Sequence, residues 1–276
     1  MGIVAEIKAN AKKSNAKIQS SEADKFEKLL NRTFFMDKNI EEETKFVNMV
    51  MTRGLETQER KGLHASAMIC PEPQWCTRQQ VLSLVYKMSQ GEDIPVGLMR
   101  IFEEGNAIHE KWQRLFIRGG YGVAKTMDRT RMNKEYMISY SPDIICKIPE
   151  LFGDEPIVGE VKSVNTFSFK KMTSHASGHK QLQFYLYLTG YKKGFVLCDD
   201  KNCQEFKLYI YDYEPETVAP FIDRCEDVKY HYEKFIDEGI LIDRCDNCDS
   251  ANCKKAKNCG MRNACWDIGF GKIKLS

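Results

Sequence analysis

The chain has 276 residues, 42% of them hydrophobic and 29% charged, so it can bury the core of one sizeable domain and is not globally disordered. Its formal net charge of +2 excludes a wholly basic coat for nucleic acid, although a local basic cleft is compatible with it. No segment approaches the roughly 18 apolar residues of a membrane span. The Lys- and Ala-rich start lacks the apolar centre of a secretory signal, so we expect a soluble intracellular (cytoplasmic) protein.

The apolar spacing predicts an α/β protein with helices first and strands later. Residues 1–64 read as charged helices, and two further helices are expected after Cys76 and around Leu98–Phe116. The later pattern predicts strands at Tyr136–Tyr140, Asp143–Ile148, Ile157–Val164, Gly194–Cys198 and Glu205–Tyr211, with helices at His179–Leu188 and Thr217–Phe235. We therefore expect an N-terminal helical region (1–64), an α/β core (65–240) and a cysteine-rich tail (241–276).

Two charged residues interrupt the apolar strand Ile157–Val164. Glu160 and Lys162 point to one face of that strand because side chains alternate, whereas Val161 faces the core. If the preceding strand pairs with this one, Asp143 lies beside them. The two carboxylates and the Val161 carbonyl then form an oxygen site for Mg²⁺ or Mn²⁺. A solvated strand face is the plain alternative for Glu160 and Lys162.

Other polar residues occur in an order that fits the same site. His109, on the helix upstream, can add an imidazole ligand for Mn²⁺. Gln181 and Tyr185 are four residues apart on one helix face, but Gln183 and Tyr187 have the same spacing, so the register is open.

The segment after the Glu160 strand is basic and aromatic. It could contact phosphates and stack on bases, or be a plain surface loop. Its residues are Phe167, Phe169, Lys170 and Lys171.

The chain has eleven cysteines, and five of them lie in a polar tail. In a reducing compartment such clustered thiols predict a metal site rather than core packing or disulfides. The five are Cys245, Cys248, Cys253, Cys259 and Cys265. The isolated Cys146, Cys198, Cys203 and Cys225 are expected to be small buried hydrophobes.

Taken together, these motifs resemble the RecB-like branch of the PD-(D/E)xK nuclease superfamily, over about residues 65–265. The resemblance rests on Gly105 with His109, Pro142-Asp143, Glu160-Val161-Lys162, and Gln181 with Tyr185. It implies a restriction-endonuclease-like mixed sheet flanked by helices. It also implies that His109, Asp143 and Glu160 are metal ligands, that Lys162 is the catalytic lysine, and that Gln181 and Tyr185 order the lysine and the DNA strand.

The cysteines extend the resemblance, because CRISPR-associated and phage-type exonucleases of this branch hold a [4Fe–4S] cluster. One ligand precedes the nuclease core and three follow it. Cys76 resembles the upstream ligand, and Cys259 and Cys265 resemble the last two. Cys245 is the third downstream candidate, with Cys248 and Cys253 as alternates, and Cys70 is a spare. A Cys₄ zinc site within the tail is a competing interpretation, since Cys245-x-x-Cys248 is a zinc half-site.

The resemblance implies a metal-dependent DNA exonuclease acting on single strands or duplex ends. No phosphate-cradling Gly-x-x-x-x-Gly-Lys-Ser/Thr motif occurs, so we expect no nucleotide-driven motor in this chain. The enzyme would work alone or beside a helicase, recombinase or CRISPR adaptation protein. Recombination, repair and phage or CRISPR DNA processing all fit a prokaryotic or phage-encoded enzyme of this kind. A non-catalytic nucleic-acid-binding module, or an endonuclease or resolvase using the same site, remains an alternative.

Overall fold

A computed structural model describes residues 63–86, 96–122 and 130–266, except for the side chains of 96–99. The predicted helical region 1–64 lies outside these residues apart from Leu63 and His64, which form a short strand. The chain divides into two compact units. One comprises residues 1–57 and 90–103, and the other comprises Gln58–Ser89 and Glu104–Ser276. Every residue of the site described below belongs to the second unit.

Nine α-helices lie in the described residues, and none of them is both long and apolar enough to cross a membrane. They are α1 (Ala65–Met68), α2 (Thr77–Val85), α3 (Val96–Arg118), α4 (Pro149–Phe152), α5 (Thr166–Lys171), α6 (Ala176–Thr189), α7 (Pro215–Glu238), α8 (Lys254–Lys257) and α9 (Arg262–Trp266).

Seven strands in the described residues form two sheets. They are β1 (Leu63–His64), β2 (Arg131–Asn133), β3 (Ile138–Tyr140), β4 (Ile144–Cys146), β5 (Ile157–Val164), β6 (Lys193–Asp200) and β7 (Phe206–Asp212). The smaller sheet has the order β1-β3-β2, and the larger has the order β4-β5-β6-β7. Within the larger sheet β5 and β6 are parallel and the outer pairs are antiparallel, so the sheet is mixed.

Each face of the large sheet is covered by a different helix. The odd-numbered residues of β5, such as Val161, pack with Phe195 against Trp112 and Phe116 of α3. The even-numbered residues, such as Val158, pack with the core that includes α6. Glu160 and Lys162 are even-numbered, so they lie on the α6 face of the sheet.

The structure confirms the predicted mixed α/β sheet flanked by helices. Strand β5 has the predicted bounds, Ile157–Val164, and α6 ends at Gly190, whose φ of 75° is the left-handed conformation that glycine adopts easily. Some predicted bounds were wrong in part: α6 begins at Ala176 rather than near His179, and β3 begins at Ile138 rather than Tyr136. Residues 166–171, for which a surface loop was one alternative, form helix α5.

Candidate active site

Glu160 and Lys162 form an ion pair on β5, with Lys162 Nζ 2.5 Å from Glu160 Oε1. Glu160 is only 1% exposed, so the alternative of a solvated strand face was wrong for this residue. Its second oxygen, Oε2, is buried and has no hydrogen-bond partner among the residues that the structure describes. A buried carboxylate oxygen without a donor is costly, and a bound cation is one way to offset that cost.

Asp143 lies beside this pair because β4 runs antiparallel to β5, with Ile144 opposite Gly159. Its Oδ2 accepts a hydrogen bond of 2.7 Å from the backbone N–H of Val161, and its Oδ1 is 3.2 Å from His109 Nδ1. The structure therefore brings the predicted His109, Asp143, Glu160 and Val161 to one place.

Sequence reasoning missed Gln113, which holds the backbone of Asp143. Gln113 lies one helical turn after His109 on α3 and is buried, and its Nε2 donates to the Asp143 carbonyl at 2.9 Å. The signal available in the sequence was a glutamine four residues after a candidate ligand, because i and i+4 positions share a helix face.

The structure resolves the register on α6. Gln181 Oε1 accepts a hydrogen bond of 2.9 Å from Lys162 Nζ, and Gln181 Nε2 donates to the Tyr185 hydroxyl at 2.9 Å. Gln183 turns away from the site: its amide bonds the carbonyl of Asp212 and the N–H of Glu214. Gln181 and Tyr185, not Gln183 and Tyr187, therefore belong with Lys162.

The charges of the site perturb one another strongly. Burial and the negative charge of Asp143 raise the pKa of Glu160, against the opposing effect of Lys162. Burial alone would lower the pKa of Lys162, but the charge and hydrogen bond of Glu160 outweigh it and raise that pKa. Burial would lower the pKa of His109, but the hydrogen bond and charge of Asp143, followed by the charge of Glu160, outweigh burial and raise that pKa. A crowded acidic pair beside a lysine is an arrangement typical of functional sites.

These residues fit a hard divalent cation by the chemistry of their donors. Two neighbouring carboxylates, one with an unpartnered buried oxygen, and an adjacent imidazole are oxygen and nitrogen ligands suited to Mg²⁺ or Mn²⁺. Across the described ranges, no three His, Cys, Asp or Glu side chains already stand in a metal-binding arrangement. Binding would therefore require local adjustment, beginning with the contact between His109 and Asp143.

The basic and aromatic segment has two different sides in helix α5. Phe169 is buried in the core, with Lys207 Nζ 4.8 Å from its ring centroid. Phe167 is 70% exposed, and Lys171 Nζ lies 3.8 Å from its ring centroid. Of the two aromatic residues considered for base stacking, only Phe167 is accessible.

A pocket of about 360 Å³, including its open mouth, lies where the tail meets α2. Five cysteines line it: Cys76, Cys245, Cys248, Cys259 and Cys265. Cys253 is not among the lining residues, but its Sγ lies 3.8 Å from that of Cys248. The structure thus brings Cys76, from before the core, to the same pocket as Cys245, Cys259 and Cys265, from after it.

The surroundings of these thiols suit a negatively charged metal–thiolate centre. Arg78 Nε donates to Cys265 Sγ at 3.2 Å, and a second nitrogen of Arg78 donates to the Ile242 carbonyl. Burial raises the pKa of Cys76 to about 11, so the free thiol is protonated at neutral pH and would have to lose its proton to bind a metal. By the chemistry of its donors, a set of four or five thiols beside an arginine would suit either an iron–sulfur cluster or zinc. Within the described ranges the thiols do not already stand in a metal-binding arrangement, so binding would require local adjustment here too.

The remaining cysteines are mostly structural, as expected, with one exception. Cys146, Cys198 and Cys225 are buried, whereas Cys203 is exposed in the turn after β6, so the expectation of burial was wrong for Cys203. Cys70 is half-buried and does not line the cysteine pocket.

Comparison with known proteins gives only distant likenesses. No family model and no curated protein matches the sequence. An alkaline exonuclease from Laribacter hongkongensis is similar at 15% identity and a TM-score of 0.46, over 63% of this chain and 89% of that one. A structure of LHK-Exo in complex with dAMP gives a TM-score of 0.47 at 14% identity, over 63% and 89% of the two chains. A phage-related exonuclease from Haemophilus somnus gives 0.44 at 14% identity, over 69% of this chain and 100% of that one. Likenesses of this size do not carry a function to this chain.

Proposed function

We propose that this chain is a divalent-metal-dependent deoxyribonuclease. The observation that carries the proposal is the connected set Glu160, Lys162 and Gln181, with Asp143 just before the neighbouring strand β4. One oxygen of Glu160 is buried and has no partner in the described part of the chain. A structural ion pair has no need of a second carboxylate packed beside it, because that second negative charge raises the energy of both.

His109, Asp143, Glu160 and the Val161 carbonyl would hold Mg²⁺ or Mn²⁺. When bound, the metal supplies an activated water and stabilises the charge that develops on a phosphodiester. The proposed ligands lie on α3, just before β4 and on β5. The β4–β5 pairing sets Asp143 beside Glu160 and Val161, and His109 reaches Asp143 from α3.

Lys162 acts as a fixed cation rather than a base in this proposal. Its raised pKa keeps the ammonium charged at neutral pH, so it can neutralise a phosphate oxygen but has no lone pair to accept a proton. Gln181 holds Nζ in place, and the Tyr185 hydroxyl holds Gln181. Catalysis of phosphate chemistry depends on this kind of positioning.

We further propose that the enzyme is an exonuclease acting on single strands or duplex ends. It would act in recombination, repair, or phage or CRISPR DNA processing, beside a helicase, recombinase or CRISPR adaptation protein. Support for this finer assignment is the order of the motifs from His109 to Tyr185, which resembles the RecB-like branch.

The cysteine pocket is proposed to hold a [4Fe–4S] cluster on Cys76, Cys245, Cys259 and Cys265, with Cys248 as an alternate ligand and zinc as the alternative metal. Support comes from the position of Cys76, which lies on the far side of the core in sequence yet lines the same pocket as the tail cysteines. A zinc site built from the tail alone would not require Cys76.

The test is a nuclease assay on single-stranded and duplex DNA labelled at either end, with Mg²⁺ or Mn²⁺. Wild type is compared with Lys162→Met and Glu160→Gln. A matched control is Lys193→Met, which removes an exposed lysine from β6, the strand next to β5 in the same sheet. We expect both site variants to lose cleavage and the control to retain it, and the label pattern to give the direction of degradation.

The same assay separates the alternatives. Release of internal fragments before end products would identify an endonuclease or resolvase. Wild-type protein that binds DNA yet cleaves nothing with either metal would overturn the enzyme proposal and favour the nucleic-acid-binding module.

A further inference from the structure

His175 occupies the position just before helix α6 and caps it. Its ring Nδ1 accepts a hydrogen bond of 3.0 Å from the backbone N–H of Gly178, and the Ser177 hydroxyl lies 3.5 Å from the same nitrogen. A nitrogen that accepts an N–H carries no proton of its own. In the neutral ring, the proton therefore lies on Nε2.

The ring and the side-chain stem of Lys162 approach the same glycine, Gly178. A Cβ atom placed on Gly178 would be 3.0 Å from His175 Nδ1 and 3.3 Å from Lys162 Cγ. The imidazole and the lysine stem thus pack around the same glycine, whose lack of a side chain permits the approach. His175 therefore lies at the edge of the site already described, on the α6 face of β5.

The ring is held in its neutral form. Burial, followed by the positive charge of Lys162, lowers the pKa of His175 below its usual value. No hydrogen-bond partner for Nε2 occurs among the described residues, although the ring is half-buried. The carboxylates of the site have other neighbours: Glu160 Oε1 pairs with Lys162, and Asp143 contacts His109 and the Val161 N–H.

We propose that His175 is a substrate-binding residue whose Nε2–H donates a hydrogen bond to a non-bridging phosphate oxygen of the nucleic-acid strand held at Lys162. This inference rests on the proposed function and adds a phosphate contact to the same site. A neutral N–H donor beside a fixed ammonium suits an anionic oxygen that accepts from both.

Two variants separate this role from helix capping. His175→Asn keeps a side-chain oxygen that can accept from the Gly178 N–H, and asparagine is a favoured capping residue, but it removes the ring donor. His175→Ala removes both. We expect both variants to bind a labelled single strand about tenfold more weakly in a non-cleaving metal such as Ca²⁺, and only His175→Ala to lose thermal stability as well.

A series of strands with one neutral methylphosphonate in place of each phosphate locates the contact. Wild type should lose affinity at one linkage near Lys162, and His175→Asn should be indifferent to the change at that linkage. If His175→Asn binds and cleaves like wild type, His175 is only a cap and the inference is wrong. If it binds more weakly but keeps the wild-type methylphosphonate profile, the effect is indirect and the inference is also wrong.

The outcome is distinguishable from failure of the proposed function. Wild type that never cleaves but shows a His175-dependent methylphosphonate linkage would overturn the nuclease and support the phosphate contact. Wild type that cleaves, with His175→Asn equal to it in every measurement, would support the nuclease and overturn the phosphate contact.

Discussion

Lys162 and Gln181 meet across the junction between β5 and α6, with Nζ donating to Oε1 at 2.9 Å. The contact joins a strand residue to a helix residue whose own amide nitrogen is used by Tyr185. Lys162 therefore has two protein partners, Glu160 and Gln181, which limit its position from two directions. An ammonium on a flexible stem gains catalytic value when its rotamers are restricted in this way.

The half-buried Gln181 and the buried Gln183 of α6 should behave differently. Gln181→Leu removes a hydrogen bond to a charged group, so we expect a loss of stability of about 1.5–3 kcal/mol. Because Lys162 also loses one of its two protein partners, we expect kcat of the folded fraction to fall about 10- to 100-fold. Gln183→Leu leaves the Asp212 carbonyl and the Glu214 N–H without their partner. It should lower the free energy of unfolding by about 1–3 kcal/mol and leave the activity of the folded fraction unchanged.

Denaturant unfolding and initial cleavage rates of the two variants check this prediction. Equal losses of activity in both would mean that α6 responds as a whole and that Gln181 has no special position.

Metal binding should stabilise the protein more at higher pH. The pKa of Glu160 is raised, so over a range above its usual value the carboxyl carries a proton that a cation must displace. Apparent affinity for Mn²⁺ therefore rises as pH rises through that pKa. A cation present at about 100 times its Kd stabilises the folded state by about 2.7 kcal/mol.

Thermal melts in EDTA and in Mn²⁺ at about pH 6 and about pH 8 measure this effect. The gain in Tm should be larger at the higher pH in wild type and largely absent in Glu160→Gln. A gain that is the same in both proteins would place the cation elsewhere.

Gln113 should matter through Asp143. Gln113→Leu leaves the Asp143 carbonyl without its side-chain donor, which costs about 1–3 kcal/mol of stability. The backbone of Asp143, whose carboxylate is a proposed metal ligand, is then held less firmly. We expect a higher Mn²⁺ concentration for half-maximal activity. Gln183→Leu is the matched control, because it has a similar stability cost but should leave the metal requirement unchanged.

Substitution of the cysteines that line the pocket should remove bound metal, whereas substitution of a cysteine outside it should not. Cys76→Ser, Cys259→Ser and Cys265→Ser should each lose bound metal, whereas Cys203→Ser, at an exposed position outside the pocket, should keep it. Iron, sulfide and zinc contents per chain, together with the visible absorption of anaerobically purified protein, give the answer. A colourless protein with one zinc would replace the iron–sulfur assignment, and retention of metal by Cys76→Ser would place the site within the tail.

Much of the fold could be predicted because hydrophobic patterns report burial directly. The run Ile157–Val164 gave both the bounds of β5 and the common face of Glu160 and Lys162. The start of α6 was missed because histidine is not among the usual capping residues, although His175 caps it through Nδ1. Helix α5 is six residues long and too short for a periodic signal.

The site was less predictable than the fold, because its details depend on contacts between distant elements. Two equivalent i,i+4 pairs on α6 cannot be separated until the helix is placed against β5, when Gln181 meets Lys162 and Gln183 meets the Asp212 carbonyl. The burial of Glu160 depends in the same way on α6 covering the sheet. Cys203 was predicted buried because isolated cysteines usually are, and its turn position decided otherwise.

The pairing of β5 has a consequence for how the chain acquires its site. Strand β5 joins β4, its neighbour in sequence, on one side, but its parallel partner β6 follows only after α5 and α6. The groups gathered at the site span His109 to Tyr185, a separation of 76 residues (185 − 109). Such non-local contacts form slowly, after the loop between them has closed. A nascent chain that has emerged only as far as Lys162 therefore carries every proposed ligand of the divalent cation, but it lacks the partner strand β6 and the residue Gln181 that holds Lys162. Nuclease activity should therefore arise late in folding.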